Sequence, residues 1–119
     1  MKARVDLVLD CEDPASLSAF WREALDYREY FTDASVSILV PKEGVSPPLV
    51  LQGVPEPKAG KNRMHLDVHV DDLAAEVVRL EDLGAHRVDP DPIEGHGHAW
   101  FVMADPEGNE FCVVKRPGE

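Results

Sequence analysis

The chain has 119 residues and a mass of 13.2 kDa, which is the size of a single domain. Its apolar fraction of 44% and charged fraction of 29% are ordinary for a globular protein and exclude a disordered tail, a collagen-like chain and a coiled coil. The 23 acidic side chains outnumber the 12 basic ones and give a formal charge of −11. Nucleic acids and anionic membranes bind basic surfaces, so we expect neither as a partner.

The cysteine content and the N-terminus indicate a cellular compartment. Cys11 and Cys112 are the only cysteines in the sequence. No apolar segment follows the basic residues near the N-terminus, as it would in an export signal, and no apolar run approaches the roughly 18 residues of a membrane span. We therefore expect reduced thiols and a cytoplasmic protein.

The first half of the chain predicts a strand, a helix and three further strands. Apolar and polar residues alternate over Ala3–Cys11, which is the two-residue period of a strand. Asp13 and Pro14 then favour a helix start, because Asp caps free amides and Pro suits the first helical position. Apolar side chains follow at helical spacing, namely Leu17, Phe20, Trp21, Ala24 and Leu25. The three later strands are predicted over Tyr27–Thr32, Ser35–Val40 and Leu49–Val54.

The second half repeats this order after a linker. The segment Val54–Asn62 contains two prolines and a glycine, which disfavour regular structure. Arg63–Val70 then alternates as a strand, and Asp72 and Gly84 favour the start and the end of a second helix. The remaining predicted elements are a strand over Arg87–Asp89, a loop over Asp89–Gly97, and a hairpin of Ala99–Ala104 and Glu110–Val114 around a turn that starts at Asp105.

The repeated order predicts an α+β fold of two βαβββ modules, residues 1–55 and 63–116, within a single domain over residues 1–119. Because one helix covers only one face of a sheet, we expect the two uncovered faces to form a shared cleft. Polar residues that alternate along the first and fifth strands are expected on this cleft face, whereas Met64, Leu66 and Val68 are expected to face the second helix. The polar set comprises Asp6, Asp10, His65, Asp67 and His69.

Several short motifs occur in an order that resembles a known family. Phe20 and Trp21 lie together in the first predicted helix, Val-Asp-Asp-Leu at residues 70–73 ends a strand, and Asp-Pro-Glu-Gly-Asn at residues 105–109 leads into the last strand. With the segment Lys61–Asp67, the chain resembles the vicinal oxygen chelate superfamily, which is the glyoxalase, bleomycin-resistance and extradiol-dioxygenase group, and within it the glyoxalase-like domains. The resemblance implies curved mixed sheets around a ligand cleft, and a homodimer.

The resemblance also implies where a metal would bind. Catalytic members of the superfamily hold Ni, Zn, Fe or Mn with four side chains, mostly His and Glu, from the first and last strands of both modules. These positions fall on Asp6, Gln52, His65 and Cys112. Only His65 is of the usual type, because Asp6 is short and Cys112 stands where Glu is expected. We therefore expect no intact metal site, with Zn, Ni, Mn or Fe as the alternative cofactors, and we expect His96 and His98 to be solvated loop residues.

His65 and Asp67 are the candidate catalytic residues, because a neighbouring imidazole and carboxylate can exchange a proton near neutral pH. The alternative is a hydrogen-bonded pair on a polar rim. Trp100 is a candidate apolar wall for a ligand. Cys112, between apolar neighbours, is either a ligand contact or a buried thiol with a raised pKa. The predicted ligand-binding residues are Asp6, Gln52, His65, His69, Trp100 and Cys112.

The favoured function is the binding of a small organic molecule in the cleft, without an intact catalytic metal site. One alternative is a metal-dependent lyase, isomerase or dioxygenase of the glyoxalase type. The other alternative is a metal-free acid–base enzyme that uses His65 and Asp67.

Overall fold

The computed structural model describes residues 4–95 and 97–115, so the loop residue His96 lies outside the described residues. The chain divides into two compact units, one ending at Lys58 and the other beginning at Ala59. Each unit has one helix packed on a mixed sheet, which confirms the predicted α+β class. Neither helix within the described ranges is long and apolar enough to cross a bilayer.

The described part of the first unit contains one helix and four strands. They are β1 (Leu7–Cys11), α1 (Pro14–Leu25), β2 (Tyr27–Thr32), β3 (Val36–Pro41) and β4 (Leu49–Gly53). The strand order in the sheet is β1-β4-β3-β2. β1 lies parallel to β4, and the other neighbouring strands are antiparallel. The predicted order of elements is therefore present.

Helix α1 begins and packs as its sequence predicts. The Asp13 carboxylate accepts the backbone N–H of Ser16 at 3.1 Å, and Pro14 occupies the first turn. The apolar stripe faces the sheet, where Phe20 and Trp21 are 4% and 1% exposed and meet edge to face, with ring centroids 5.1 Å apart. Leu39, Leu49 and Leu51 of the sheet are buried with them and complete this core.

The described part of the second unit contains one helix and five strands. They are β5 (Asp67–Val70), α2 (Leu73–Asp82), β6 (His86–Arg87), β7 (Ile93–Gly95), β8 (His98–Ala104) and β9 (Glu110–Lys115). The strand order is β5-β9-β8-β6, with β7 paired to β8. The predicted cap of α2 is confirmed, because the Asp72 carboxylate accepts the backbone N–H of Ala75 at 3.1 Å. The predicted β8–β9 hairpin is confirmed as well.

Strand β5 is shorter than predicted. It begins at Asp67 rather than at Arg63, although the Leu66 carbonyl just before it still accepts the Cys112 backbone N–H at 2.8 Å. Asn62 Oδ1 accepts the backbone N–H of Glu110 at 2.9 Å. Met64 is 81% exposed, so the expectation that it faces the second helix is wrong.

Strand β7 lies inside the segment that was expected to be a loop. Ile93–Gly95 pairs antiparallel with the beginning of β8, and Gly97 in the connecting turn has a φ of 78°. The nearby prolines disfavour a strand locally, but the edge of β8 offers backbone partners that the segment alone lacks. The second unit therefore has one strand more than the predicted order, and the short strand before it covers His86–Arg87 instead of Arg87–Asp89.

The turn between β8 and β9 explains the motif at residues 105–109. The Asp105 side chain is fully buried, and its Oδ1 accepts the backbone N–H groups of Glu107 and Asn109, each at 2.9 Å. The Asn109 side-chain amide donates to both carboxylate oxygens, at 3.2 and 3.0 Å. Gly108 has a φ of 87°, a conformation that residues with a Cβ rarely adopt. The turn therefore stabilises the register of the hairpin.

The second sheet has two chemically different faces. Helix α2 packs against one face, where Met103, Phe111 and Val113 of the sheet and Val77 and Leu80 of the helix are at most 1% exposed. Alternate residues of the same strands point to the opposite face. That opposite face carries the polar residues of the candidate site.

Replacing Phe20 tests the core of the first unit. Phe20→Ala should lower the free energy of unfolding by about 3–5 kcal/mol, because it removes a buried ring and leaves a cavity under α1. Phe31 on β2 is 48% exposed, so Phe31→Ala is the matched control and should cost less than about 1 kcal/mol. Urea unfolding followed by circular dichroism measures both values. Equal costs for the two variants would contradict the assignment of Phe20 to the core.

Candidate functional site

Three neighbouring strands of the second sheet bring the candidate residues together through their register. Two rows of residues cross the sheet: Asp67, Cys112 and Val102 form one, and His69, Val114 and Trp100 form the next. Residues that are directly opposite each other on paired strands point to the same face of the sheet. Both rows therefore present their side chains to the face that α2 leaves uncovered.

A cavity of about 520 Å³ lies over this face, and its lining residues all belong to the second unit. This volume is in the range of small-molecule sites, which span about 300–1,000 Å³. The residues that matter for its chemistry are His65, Asp67, His69, His98, Trp100 and Cys112. By their positions along the strands, the Asp67 carboxylate and the Cys112 thiol lie at one end of the cavity, which we call the polar end. The Trp100 indole lies toward the other end, which we call the aromatic end.

At the polar end of the cavity, one carboxylate contacts both an imidazole and a thiol. Asp67 Oδ1 lies 3.1 Å from His65 Nε2, and both side chains are about half exposed, at 51% and 50%. The Cys112 thiol is hydrogen-bonded to the Asp67 carboxylate as well. An imidazole in contact with a carboxylate can accept or release a proton, so this end of the cavity has the groups for general acid–base chemistry.

The surroundings of Cys112 keep its thiol protonated. Burial raises the pKa of the Cys112 thiol, and the negative charges of Asp67 and Glu110 raise this pKa further, against the opposite effect of Lys61. Because the thiolate is the reactive form of cysteine, Cys112 is a weak nucleophile at neutral pH. The thiol acts instead as a hydrogen-bond donor to Asp67.

Lys61 and Asn62, which precede β5, contact Glu110 at the start of β9 beside the polar end of the cavity. Lys61 forms an ion pair with Glu110, whose side chain is only 20% exposed, and Asn62 accepts the Glu110 backbone N–H. The Cys112 backbone N–H donates to the carbonyl of Leu66 at 2.8 Å. These contacts hold the segment that carries His65 against β9, and the lysine partly neutralises a carboxylate that lines the cavity.

At the aromatic end, Trp100 lies against the backbone of β7. A Cβ built on Gly95 would lie 3.5 Å from the indole ring, which is ordinary van der Waals contact. His98 also lines the cavity. Its Nδ1 atom is buried and has no hydrogen-bond partner among residues 4–95 and 97–115.

Three ionisable residues that line the cavity, namely Lys61, His98 and Glu110, were not among the predicted ligand-binding residues. Lys61 lies in the segment expected to be a linker, and His98 was expected to be a solvated loop residue. The two-residue period that runs through Trp100 and Val102 extends back to His98, so strand spacing was the signal that could have identified it.

The structure places the predicted site residues in both units. It brings together the predicted residues of the second unit, namely His65, Asp67, His69, Trp100 and Cys112. In the first unit, Gln52 on β4 lies beside Asp10 of β1, and the Asp6 carboxylate lies 4.0 Å from the Arg4 guanidinium. The ligand contacts of Asp6 and Gln52 stay predictions.

The family of the chain follows from a comparison with family models. The model of the glyoxalase-like domain matches residues 6–114. The chain therefore belongs to the glyoxalase-like domain family. No curated protein matches the sequence significantly.

Solved structures share the fold at low sequence identity. A glyoxalase/bleomycin resistance protein/dioxygenase family enzyme from Burkholderia phytofirmans PsJN is 18% identical with a TM-score of 0.76, over 93% of this chain and 98% of that chain. The genomically encoded fosfomycin resistance protein FosX from Listeria monocytogenes is 11% identical with a TM-score of 0.77, over 98% and 94% of the two chains. FosX from Mesorhizobium loti is 13% identical with a TM-score of 0.74, over 98% and 93%. At these identities the likeness establishes the fold, and the chemistry must be argued from the site.

The donor atoms of the site do not fit the metal set of the catalytic members. His65, Asp67 and Cys112 offer one nitrogen, one oxygen and one sulfur within 4.8 Å of one another. A thiol does not suit harder ions such as Mn²⁺, although Zn²⁺ accepts all three donor types. The group is better suited to hydrogen bonding than to holding a catalytic metal.

The protonation of Cys112 is testable by thiol labelling. In the native protein, Cys112 should react slowly with iodoacetamide at neutral pH and faster as the pH rises, because its pKa is raised. Asp67→Asn should speed up labelling several-fold, since loss of the negative charge lowers that pKa toward its usual range. Asp82→Asn on the exposed end of α2 is the control and should leave the rate unchanged. Peptide mass spectrometry separates Cys112 from Cys11, and an unchanged rate in Asp67→Asn would refute the proposed coupling.

The metal content is testable by elemental analysis. Protein purified without a chelator should carry well under one equivalent of divalent metal per chain, before and after incubation with Ni, Mn or Fe(II) followed by desalting, because its donor set suits these ions poorly. Because Zn²⁺ can be bound by nitrogen, oxygen and sulfur donors, the zinc content is measured separately by the same method. One equivalent of metal that is lost in His65→Ala, but kept in His86→Ala on the exposed strand β6, would contradict this expectation and favour a metal-dependent enzyme.

Proposed function

We propose that this glyoxalase-like protein binds a small organic molecule in the cavity of its second unit, without a catalytic metal. The observation that carries the proposal is the cavity of about 520 Å³, which combines a few convergent polar groups with a mostly apolar wall. Trp100, Val102 and Val114 form part of that wall, and burial of an apolar ligand against them provides the main driving force.

The polar end of the cavity supplies orientation. Asp67 and His65 contact each other at 3.1 Å and still expose about half of each side chain, so both can hydrogen-bond to a ligand without breaking their own contact. The protonated thiol of Cys112 lies beside them. A ligand with a polar group at one end and an apolar body therefore matches the arrangement of the cavity.

An acid–base enzyme without a metal is the second candidate, and the contact between His65 and Asp67 is the observation that favours it. In such an enzyme His65 would take a proton from the bound molecule, while Asp67 would orient the ring and stabilise the imidazolium. His65→Gln keeps a polar side chain and removes the base. Loss of turnover of a bound compound with retained binding in this variant would support the enzyme over the binding protein.

We also propose that the protein works as a cytoplasmic homodimer. Both cysteines are free, which is compatible with a reducing compartment. The dimer follows from the family resemblance alone. Analytical ultracentrifugation tests it by the mass of the species in solution.

Filling the cavity tests the proposed binding site. Fragments that raise the Tm of the wild-type protein should fail to do so for Val102→Phe, because a ring at this position occupies space beside Cys112 in the cavity. The same fragments should slow the labelling of Cys112 in the wild-type protein. Differential scanning fluorimetry and mass spectrometry are the two measurements.

Val78→Phe is the matched control, because it introduces the same ring on α2, where Val78 is 52% exposed. This variant should keep every ligand-induced shift of the Tm. If the fragments stabilise Val102→Phe as much as wild type, they bind elsewhere and the proposed site is wrong.

A further inference from the structure

The polar end of the cavity carries more acidic than basic side chains. Among the described lining residues, Asp67 and Glu110 are acidic and Lys61 is basic. Lys61 forms an ion pair with Glu110, so its positive charge offsets that carboxylate. Asp67 contacts an imidazole and has no lysine or arginine partner among residues 4–95 and 97–115. One negative charge at this end is therefore left without a basic side chain to balance it.

The thiol of Cys112 indicates the sign of the electrostatic potential at this end. Burial raises its pKa most, and the negative charge of Asp67 raises this pKa more than the ammonium group of Lys61 lowers it. Glu110 acts in the same direction as Asp67. A potential that disfavours a thiolate favours a cation at the same place, so a ligand group that enters beside Cys112 is stabilised by a positive charge.

The Asp67 carboxylate has room for a further hydrogen-bond donor. Among the described residues it contacts the His65 imidazole, at 3.1 Å, and the Cys112 thiol. A carboxylate can accept about four hydrogen bonds, and this side chain is 51% exposed. An ammonium group can therefore bind Asp67 while both neighbours stay in place. An anionic group at the same position would meet the like charges of Asp67 and Glu110.

The apolar wall of the cavity lies across β9 from this carboxylate. Asp67 and Trp100 belong to the strands on either side of β9 and to neighbouring rows of the sheet. With strands about 4.8 Å apart and a rise of about 3.3 Å per residue, their Cα atoms are separated by roughly 12 Å. Val114 of β9 lies between them and also lines the cavity. A ligand that contacts both residues is therefore elongated, with its charged group and its ring at opposite ends.

We propose that the cavity selects arylalkyl amines, with the ammonium group bound to Asp67 and the aromatic ring against Trp100. This inference rests on the proposed small-molecule function and names the class of its ligand. The ammonium group forms a charge-assisted hydrogen bond with the carboxylate, and the ring packs on the indole. The formal charge of −11 attracts cations toward the protein surface, within a screening length of about 8 Å at physiological salt. The charge of the whole chain and the charges of the cavity therefore favour the same sign.

The test compares three probes that share an indole ring: tryptamine, the neutral tryptophol and the anionic indole-3-acetate. Isothermal titration calorimetry at about pH 8, at which ordinary imidazoles are neutral, and about 0.15 M salt is the measurement. The wild-type protein should bind tryptamine roughly tenfold more tightly than tryptophol, because a hydrogen bond to a charged group adds about that much affinity. Indole-3-acetate should bind most weakly, because its carboxylate meets Asp67 and Glu110.

Two substitutions should change the affinity for the cation in opposite directions. Asp67→Asn removes the charge and keeps the size of the side chain, so it should weaken tryptamine about tenfold and leave tryptophol unchanged. Lys61→Gln removes the positive charge beside Glu110, so it should strengthen tryptamine several-fold and leave tryptophol unchanged. A general loss of structure would instead weaken both probes in both variants.

Two further variants control for net charge and for the position of the ring. Asp82→Asn removes an acidic residue at the exposed end of α2, outside the cavity lining, and should change none of the three affinities. Trp100→Leu should weaken all three probes, because each ring loses the flat surface of the indole. Unfolding by urea shows whether each variant is folded.

The outcomes distinguish this inference from the proposed function. Equal affinity of the wild-type protein for tryptamine and tryptophol, or an unchanged preference in Asp67→Asn, would overturn the selection of amines and leave small-molecule binding intact. Unchanged tryptamine affinity in Lys61→Gln would contradict the role of the cavity charges, and unchanged affinities in Trp100→Leu would contradict the position of the ring. If none of the probes binds, the inference is wrong, and the fragment experiment with Val102→Phe decides separately whether the cavity binds any small molecule.

Discussion

The chemistry of the second unit depends on the parallel pairing of β5 with β9. This pairing places Asp67 beside Cys112 and His69 beside Val114, and the β8–β9 hairpin adds Trp100 to the same face. A shift of one residue in β5 would turn Asp67 and His69 to the face of α2, away from Cys112 and Trp100. The sheet register therefore determines the site as much as the identity of its residues does.

Two local structures outside the cavity stabilise that register. The buried Asp105 carboxylate closes the β8–β9 turn by accepting backbone N–H groups, and it also binds the Asn109 amide. On the other side of β9, Asn62 accepts the backbone N–H of Glu110 and ties the segment before β5 to the sheet. Both contacts satisfy backbone groups with side chains, which is why short polar residues stand at these positions.

The thiol at Cys112 changes what the site can do. In the catalytic members that the sequence resembles, a carboxylate is expected at this position, and it would add a hard donor for a metal. Here burial and the negative charge of Asp67 raise the pKa of the thiol, so a hydrogen-bond donor stands in place of that hard donor. The family therefore accounts for the fold, and the chemistry has to be argued from this position and its neighbours.

The class of the fold, both helix starts and the β8–β9 hairpin could be predicted from the amino-acid sequence. These features depend on local physics: the capping of free amides by Asp13 and Asp72, the alternation along strands, and turn chemistry at residues 105–109. The sequence also identified His65 and Asp67 as a pair, because residues two positions apart in a segment with strand alternation are predicted on the same face without tertiary information.

The extent of β5, the existence of β7 and the position of His98 could not be predicted without the tertiary structure. The segment before β5 depends on the contact of Asn62 with Glu110, which is distant in sequence. Strand β7 and the place of His98 depend on the pairing of Ile93–Gly95 with the edge of β8. The raised pKa of Cys112 likewise needs Asp67 and Glu110 around it in space as well as burial. A local sequence pattern predicts which face of its strand a residue lies on, but it does not predict which strand lies beside it. The chemistry of this site depends on residues that neighbouring strands bring together, so it could not be predicted from local patterns.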